Sequence, residues 1–225
     1  MHRWKKFSRL EATIVTGGAF WAMKNLVQDP TPRRMTVSLH EERSSVKPFG
    51  DPDWHTSFVP EHIAILKGDG SIVSQRDNPR ESFVGHEMLT PWDPLHRAYF
   101  NGYALWTYLT TPFLLAMNGV NVSEISPWIE TGETWRVLRA IFPKEIATHS
   151  PVQDFFFDSE YQLRRHDYNV DVAGGFEAAQ LVYDYIEVDG IRLPSKRRAY
   201  TRNSDSRPNL EPVMVSIDIS NVKFS

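Results

Sequence analysis

The 225-residue sequence contains no cysteine. Disulfide bonds, thiolate catalysis, cysteine-ligated zinc and iron–sulfur clusters are therefore excluded, and the absence is typical of a reducing compartment. A clean secretory signal is also missing, because Glu11, Thr13 and Thr16 interrupt the apolar residues that follow the basic start MHRWKKFSRL. These two absences predict a cytoplasmic protein.

A surplus of positive charge is missing as well. The chain has 25 Lys and Arg against 28 Asp and Glu, a net charge of -3 and a pI near 6.2, so no nucleic-acid partner is predicted. Neither GxGxxG nor GxxxxGK[ST] occurs, and the histidines show no HxxxH or HExxH spacing. We therefore predict no cofactor and no metal site from spacing, although a metal site built from distant strands stays open.

One stretch, AYFNGYALWTYLTTPFLLAM at 98–117, has the length of a membrane span. Polar residues and a proline interrupt it, so it predicts a buried helix and no stable membrane span. Asp93 is suited to the N-cap of this helix and Pro94 to its first turn. Pro112 should end or kink it.

Short apolar runs punctuated by proline and glycine predict strands on both sides of this helix. Among them we predict one strand at 16–26 and one at 33–49. The order of strands, helices and strands, with no internal boundary, predicts a single α+β domain over residues 1–225 with one curved antiparallel sheet and helices on one side.

The stretch RRHDYNVDVAGG at 164–175 predicts an unusual strand. Alternation places Arg165 and Asp167 on a face that should be solvated. Arg164, His166 and Tyr168 fall on the other face, which becomes apolar further along and should therefore turn inwards. Charged side chains on an inward face suggest a polar cavity.

The predicted strand at 33–49 repeats this anomaly, because its apolar face continues to Glu41 and Arg43. Two interpretations stay open for these two residues together with the inward face of 164–168. They line a cavity and bind or polarise a carbonyl, hydroxyl or carboxylate, or they form an internal salt-bridge network that closes one end of the core.

His96 follows Asp93 at helical spacing. A neutral histidine can act as a general base, but His96 could equally complete the helix cap. Aromatic residues make up 12% of the chain, and we predict that Trp54, Trp92 and Trp106 line the cavity together with Tyr99. Such a wall would suit a flat or cyclic ligand better than a flexible acyl chain.

The C-terminal third resembles a known family. The segments FFFDSEYQLRRHDY, YDYIEVDGIRLPSKRRAY and VSIDISNVKF are similar to the closing strands of lipoprotein-carrier proteins with the LolA-like fold, over roughly residues 153–225. The resemblance implies an incomplete β-barrel that curls around helices and an apolar cavity that binds acyl chains.

Three functional hypotheses follow. The first is that the half-barrel binds a hydrophobic or aromatic small molecule in its cavity. The second is a cofactor-independent enzyme, such as a lyase, isomerase, cyclase or hydrolase, acting on such a molecule. The third is a structural protein without a cavity. The catalytic candidates are His96, His166, Tyr168 and Glu41, with Asp167 as a further acid. The ligand-binding candidates are Arg43, Arg164, Trp54, Trp92, Tyr99 and Trp106. The oligomeric state is not predicted.

Overall fold

The computed structural model describes residues 1–28 and 30–225. Within them, fourteen strands form one antiparallel sheet. The strands are β1 (Arg9–Gly17), β2 (Arg33–Ser38), β3 (Ser44–Lys47), β4 (His55–Val59), β5 (His62–Leu66), β6 (Ile72–Asp77), β7 (Asn121–Glu130), β8 (Glu133–Ile141), β9 (Val152–Phe157), β10 (Leu163–Val170), β11 (Phe176–Val188), β12 (Ile191–Arg202), β13 (Pro208–Asn209) and β14 (Val215–Phe224). The helices are α1 (Phe20–Met23) and α2 (Pro94–Thr110), with 3-10 turns at Trp4–Lys6, Pro79–Phe83, Phe113–Ala116 and Asp171–Ala173.

The strands follow the order β6-β5-β4-β3-β2-β1-β14-β12-β11-β10-β9-β8-β7, and β13 pairs with β12 at the side. The ladder between β1 and β14 joins the two halves of the sheet. No ladder joins the outermost strands β6 and β7 over the described residues, so the barrel is incomplete. Burial alternates strictly along β1, as expected when one face of a strand meets the core.

Helix α2 lies inside the curve of the sheet, and its residues from Leu95 to Thr110 are all buried. Asp93 caps it and Pro94 occupies its first turn, so the predicted start is confirmed. One side of α2 packs on β2–β6. Its opposite side faces β10–β12, β14 and β1 across a narrow cavity, which requires the sheet to curve around the helix.

Gly102 sets the distance between α2 and the sheet. A Cβ at this position would lie 2.3 Å from Cγ of Phe58, and the Gly102 carbonyl accepts a hydrogen bond from Ser44. Only a glycine permits this approach. Among the described residues no helix is long and apolar enough to cross a membrane.

Two predicted strands are wrong in their limits. The strand expected at 16–26 ends at Gly17, because Gly18 has a φ of 110° and the chain then enters α1. The strand expected at 33–49 is a hairpin of β2 and β3. Its chain reversal is closed by a hydrogen bond from the Ser38 N–H to the Arg43 carbonyl.

The outer face of β10 is buried, although we expected it to be solvated. Arg165 and Asp167 are 0% and 3% exposed. The Arg165 guanidinium makes two 2.6 Å hydrogen bonds to the Asp167 carboxylate and lies over the rings of Trp128 and Phe156. Arg202 also donates to Asp167, at 2.7 Å. Aromatic side chains of β7 and β9 therefore cover a paired charge on this face.

Candidate functional site

A cavity lined by many aromatic side chains lies between α2 and the sheet. About 30 Å³ of this cavity can hold the centre of a water molecule, which is room for one or two waters. Its lining residues are Thr16, Phe20, Trp21, Phe100, Asn101, Ala104, Leu105, Tyr108, His149, Tyr168, Val170, Phe176, Ala178, Ala199, Tyr200, Met214, Val215 and Ile217. The interior is therefore nearly filled by the protein's own side chains.

A chain of polar side chains borders this cavity. The hydroxyl groups of Tyr108 and Tyr168 are 2.9 Å apart, and Tyr108 also meets His149 Nε2 at 2.6 Å. The Tyr103 hydroxyl lies 3.4 Å from His149 Nδ1. The imidazole stacks on the Tyr168 ring with centroids 4.0 Å apart. Three tyrosines thus orient one histidine.

Burial determines the protonation state of these hydrogen-bonded side chains. Removal from water holds the pKa of His149 well below its usual value, and the nearby charge of Arg80 lowers it further. Burial raises the pKa of Tyr108 to about 12 and that of Tyr168 well above its ordinary value. These side chains are all neutral near pH 7. They can therefore form hydrogen bonds to a carbonyl or hydroxyl group of a ligand without presenting a charge.

His166 lies next to this chain and is fully buried. Its Nε2 lies 2.6 Å from Oε1 of Gln153, and its ring stacks on Phe155 at 4.2 Å. Burial lowers the pKa of His166 well below its usual value, with smaller contributions from His149 and Arg197. His166 is therefore a neutral group held by an amide.

The structure separates Arg164 from His166 and Tyr168. A register shift between Leu163 and Arg165 interrupts the alternation of β10, so Arg164 does not follow its expected face. Its side chain is 41% exposed and lies 3.8 Å from the carboxylate of Asp158. Of the three residues predicted on the inward face of this strand, only His166 and Tyr168 are buried there.

Glu41 and Arg43 do not meet these two residues. Both are exposed in the turn between β2 and β3, because the hairpin ends the strand face that we had extended through them. Glu42 is the residue of this turn that reaches inwards, where its Oε2 accepts a hydrogen bond from the Ala147 N–H at 2.8 Å. Burial raises the pKa of Glu42 well above its usual value.

His96 completes a capping box at the start of α2. Asp93 Oδ1 accepts from the His96 N–H at 2.8 Å, and His96 Nδ1 accepts from the Asp93 N–H at 3.1 Å. The imidazole packs against Phe83, with centroids 4.6 Å apart. The structure thus shows the capping contact that we weighed for His96, and its role as a general base stays a prediction.

The predicted aromatic residues lie at separate places. Trp92 and Trp106 are buried in the main core, and the Trp106 indole N–H donates to the Ser38 carbonyl at 2.9 Å. Trp54 is half-buried at the edge of that core. Tyr99 lies in α2 and borders a polar cleft of about 390 Å³ at one end of the half-barrel. They do not form one ligand wall.

An apolar groove, which the sequence did not reveal, opens on the concave side of β7–β9. It has a volume of about 360 Å³, and we call it the concave groove. Its lining residues are Pro112, Leu115, Ala116, Val122, Arg136, Leu138, Phe157 and Tyr161. Leu114, Phe155 and Leu163 belong to the hydrophobic cluster against which Leu115 and Leu138 pack. Val122 is 41% exposed on the edge strand β7, and its sequence neighbourhood gave no signal of the groove.

The charged part of this groove is a paired arginine. Arg136 donates two hydrogen bonds of 2.7–2.8 Å to Glu124, and its guanidinium lies 5.7 Å from the Tyr161 ring centroid. The pair is about half exposed. Among residues 1–28 and 30–225, no three His, Asp or Glu side chains are placed to hold a metal ion.

Comparison with known proteins gives the fold. No family model matches the chain, and no curated protein matches it. A LolA superfamily protein from Nitrosomonas europaea is similar in structure, with a TM-score of 0.55, 9% identity and coverage of 97% of this chain and 86% of the other. A DUF1329 family protein from Desulfovibrio piger has a TM-score of 0.55, 10% identity and coverage of 100% and 88%.

A third structure, provisionally described as an outer membrane lipoprotein-sorting protein domain from Vibrio parahaemolyticus, has a TM-score of 0.52, 11% identity and coverage of 100% and 89%. The chain therefore has a LolA-like fold, as its C-terminal third had indicated. The comparisons give no support to the cytoplasmic location, which stays a prediction.

Proposed function

We propose that the protein binds a hydrophobic small molecule in the concave groove. The observation that carries this proposal is an open apolar recess of about 360 Å³ on the inner side of a LolA-like sheet. Ligand pockets usually measure from about 300 to 1,000 Å³. The interior cavity, with room for one or two waters, is too small for such a ligand unless aromatic side chains move.

The lining of the groove favours an aliphatic ligand. Leu115, Val122 and Leu138 supply flexible or branched aliphatic surface, and Phe157 forms one wall. Each methylene removed from water contributes roughly 0.8 kcal/mol. A chain of about eight methylenes could therefore gain about 6 kcal/mol before the cost of association. The structurally similar domain from Vibrio parahaemolyticus, provisionally described as a lipoprotein-sorting domain, is consistent with a lipid-like chain.

A matched pair of variants tests the site. Val122→Glu places a carboxylate in the concave groove, whereas Val84→Glu makes the same change at a side chain that is 84% exposed and does not line the groove. A ligand in the groove would cover this carboxylate, and burying an unpaired polar group costs about 1–3 kcal/mol. We therefore expect Val122→Glu to weaken binding of saturated fatty acids about tenfold or more, with no change for Val84→Glu.

Binding is measured by displacement of an environment-sensitive hydrophobic dye with fatty acids of increasing length. Affinity should rise with chain length up to the capacity of the groove. Equal affinity of the two glutamate variants, or no dependence on chain length, would show that the ligand does not occupy the concave groove.

The enzyme alternative has one structural observation in its favour. Tyr108, His149 and Tyr168 form a neutral hydrogen-bonding chain beside the interior cavity, which resembles the few convergent polar groups of a reactive pocket. Native mass spectrometry of a copurified molecule, before and after incubation with fresh protein, separates the two functions. A binding protein returns the molecule unchanged. An enzyme alters its mass or, for an isomerisation, its chromatographic retention, and His149→Phe should abolish that change.

A further inference from the structure

The outer face of the N-terminal half carries hydroxyl groups in neighbouring strands. Thr36 on β2 lies opposite Ser45 on β3, and Ser57 on β4 borders the same recess. These side chains point away from the core because Met35 and Val46, in the alternate positions, are buried. Hydroxyl groups on an outer face can donate hydrogen bonds to a ligand without any rearrangement of the core.

Basic side chains flank this row on both sides. Arg9 lies opposite Ser38 at one end, where Arg43 also lines the recess. Arg34 lies opposite Lys47 at the other end. The cations therefore lie at both ends of the row of hydroxyl groups, because antiparallel pairing places the residues of neighbouring strands side by side.

The shape of this surface is concave. Two recesses of about 320 and 180 Å³ adjoin at Thr36, Ser45 and His55, and we call the two together the outer recess. The residues that line it are Arg9, Arg34, Thr36, Val37, Ser38, Arg43, Ser44, Ser45, Lys47, His55, Thr56, Ser57 and Leu66, with Gly68 at the rim. Of the described residues, no Asp or Glu belongs to this lining.

The nearest acids leave much of the basic charge available. Glu11 lies 3.5 Å from Arg9 and 3.9 Å from Arg34, and Asp53 lies 3.8 Å from Lys47. These separations exceed those of a charge-assisted hydrogen bond, about 2.7–2.9 Å. Arg43, the remaining cation of the outer recess, has no ion pair within the described part of the chain. The four basic groups of the outer recess (Arg9, Arg34, Arg43, Lys47) and the two acids within 4 Å of them sum to a charge of +2, whereas the whole chain carries -3.

We propose that the outer recess binds a phosphate-bearing group. Guanidinium groups pair with phosphate oxygens through two parallel hydrogen bonds, and an ammonium adds a point charge. The hydroxyl row supplies further donors between the cations. The recess lies on the face of the sheet opposite α2, so this proposal is independent of the concave groove. The phosphate group comes either from a soluble phosphate compound or from a phosphorylated lipid headgroup.

The test compares two double variants that remove the same charge. Arg43→Gln with Lys47→Gln changes the outer recess, and Arg192→Gln with Lys196→Gln changes exposed cations of β12 that do not line it. Pyrophosphate binding is measured by calorimetry at two salt concentrations. Sedimentation with phosphatidylcholine vesicles, with and without phosphatidic acid, measures the lipid form.

Exposed ion contacts are weak one at a time, so each lost cation should lower affinity about threefold and the pair about tenfold. Saturable pyrophosphate binding that the recess variant weakens and the β12 variant keeps supports a soluble ligand. If the protein sediments only with vesicles that contain phosphatidic acid, and the recess variant sediments less, the ligand is a lipid headgroup. No saturable binding of either probe, or equal loss in both double variants, overturns the proposal.

Discussion

Replacing Gly102 by alanine should destabilise the protein, although alanine is the better helix former. In the interior of a helix, alanine is favoured over glycine by roughly 1 kcal/mol. The new methyl group, however, would lie 2.3, 2.6 and 2.8 Å from Cγ, Cδ2 and Cβ of Phe58. These atoms sit close to the β4 backbone, and Phe58 is fully buried, so the ring cannot simply rotate away.

Overpacking of a core costs about 1–3 kcal/mol. We take the upper end because three ring and backbone-proximal atoms are contacted, which leaves a net loss of about 2 kcal/mol after the helix gain of about 1 kcal/mol. For a chain of this size that corresponds to a fall in Tm of roughly 4–8 °C. Urea unfolding followed by far-UV circular dichroism measures the change.

The same substitution in a Phe58→Ala background supplies the control. Without the ring, only the Cβ of residue 58 stays close to the added methyl group, at 2.8 Å. The cost of Gly102→Ala should therefore fall well below the value of about 2 kcal/mol expected in the unchanged protein. If Gly102→Ala stabilised the otherwise unchanged protein, the close approach of α2 to β4 could not be what requires glycine at this position.

Two further predictions concern buried polar groups. The pKa of His149 and of His166 is lowered by burial, so the unfolded chain binds more protons below pH 6.5 and the free energy of unfolding should fall by up to about 1.4 kcal/mol per histidine for each pH unit below that value. His149→Phe should reduce this slope between pH 6.5 and 5, and an unchanged slope would contradict it. Asp167→Asn should cost about 3–5 kcal/mol, because Arg165 and Arg202 would lose their buried carboxylate. A loss under 1 kcal/mol in urea unfolding would show that the pair is solvated.

Much of the fold could be predicted because local signals agreed with the tertiary arrangement. Asp93 and Pro94 marked the start of α2 through chemistry that acts within one helical turn. The turns and strand ends of the C-terminal third indicated the LolA-like fold. The limits of β2 and β3 failed because alternation alone cannot distinguish one long strand from two strands joined by a tight turn.

The candidate site was harder to predict because it depends on contacts between distant segments. His166 and Tyr168 face inwards as expected, but His149, which hydrogen-bonds Tyr108 and stacks on Tyr168, lies in no regular strand or helix. Burial of Arg165 depends on Trp128, about forty positions earlier in the chain. No periodicity within one segment carries that information.

The ladder between β1 and β14 has a consequence for the order of folding. Leu10 pairs with Phe224, so the strand that joins the two halves of the sheet waits for partners more than 200 residues later in the chain. Contacts of such long sequence separation form slowly because a large loop must close first. During synthesis, β1 would have β2 as its only neighbour until the last strand emerged. Its other edge would meanwhile be free to pair with another chain, which makes this edge the place where aggregation of a nascent or truncated protein should begin.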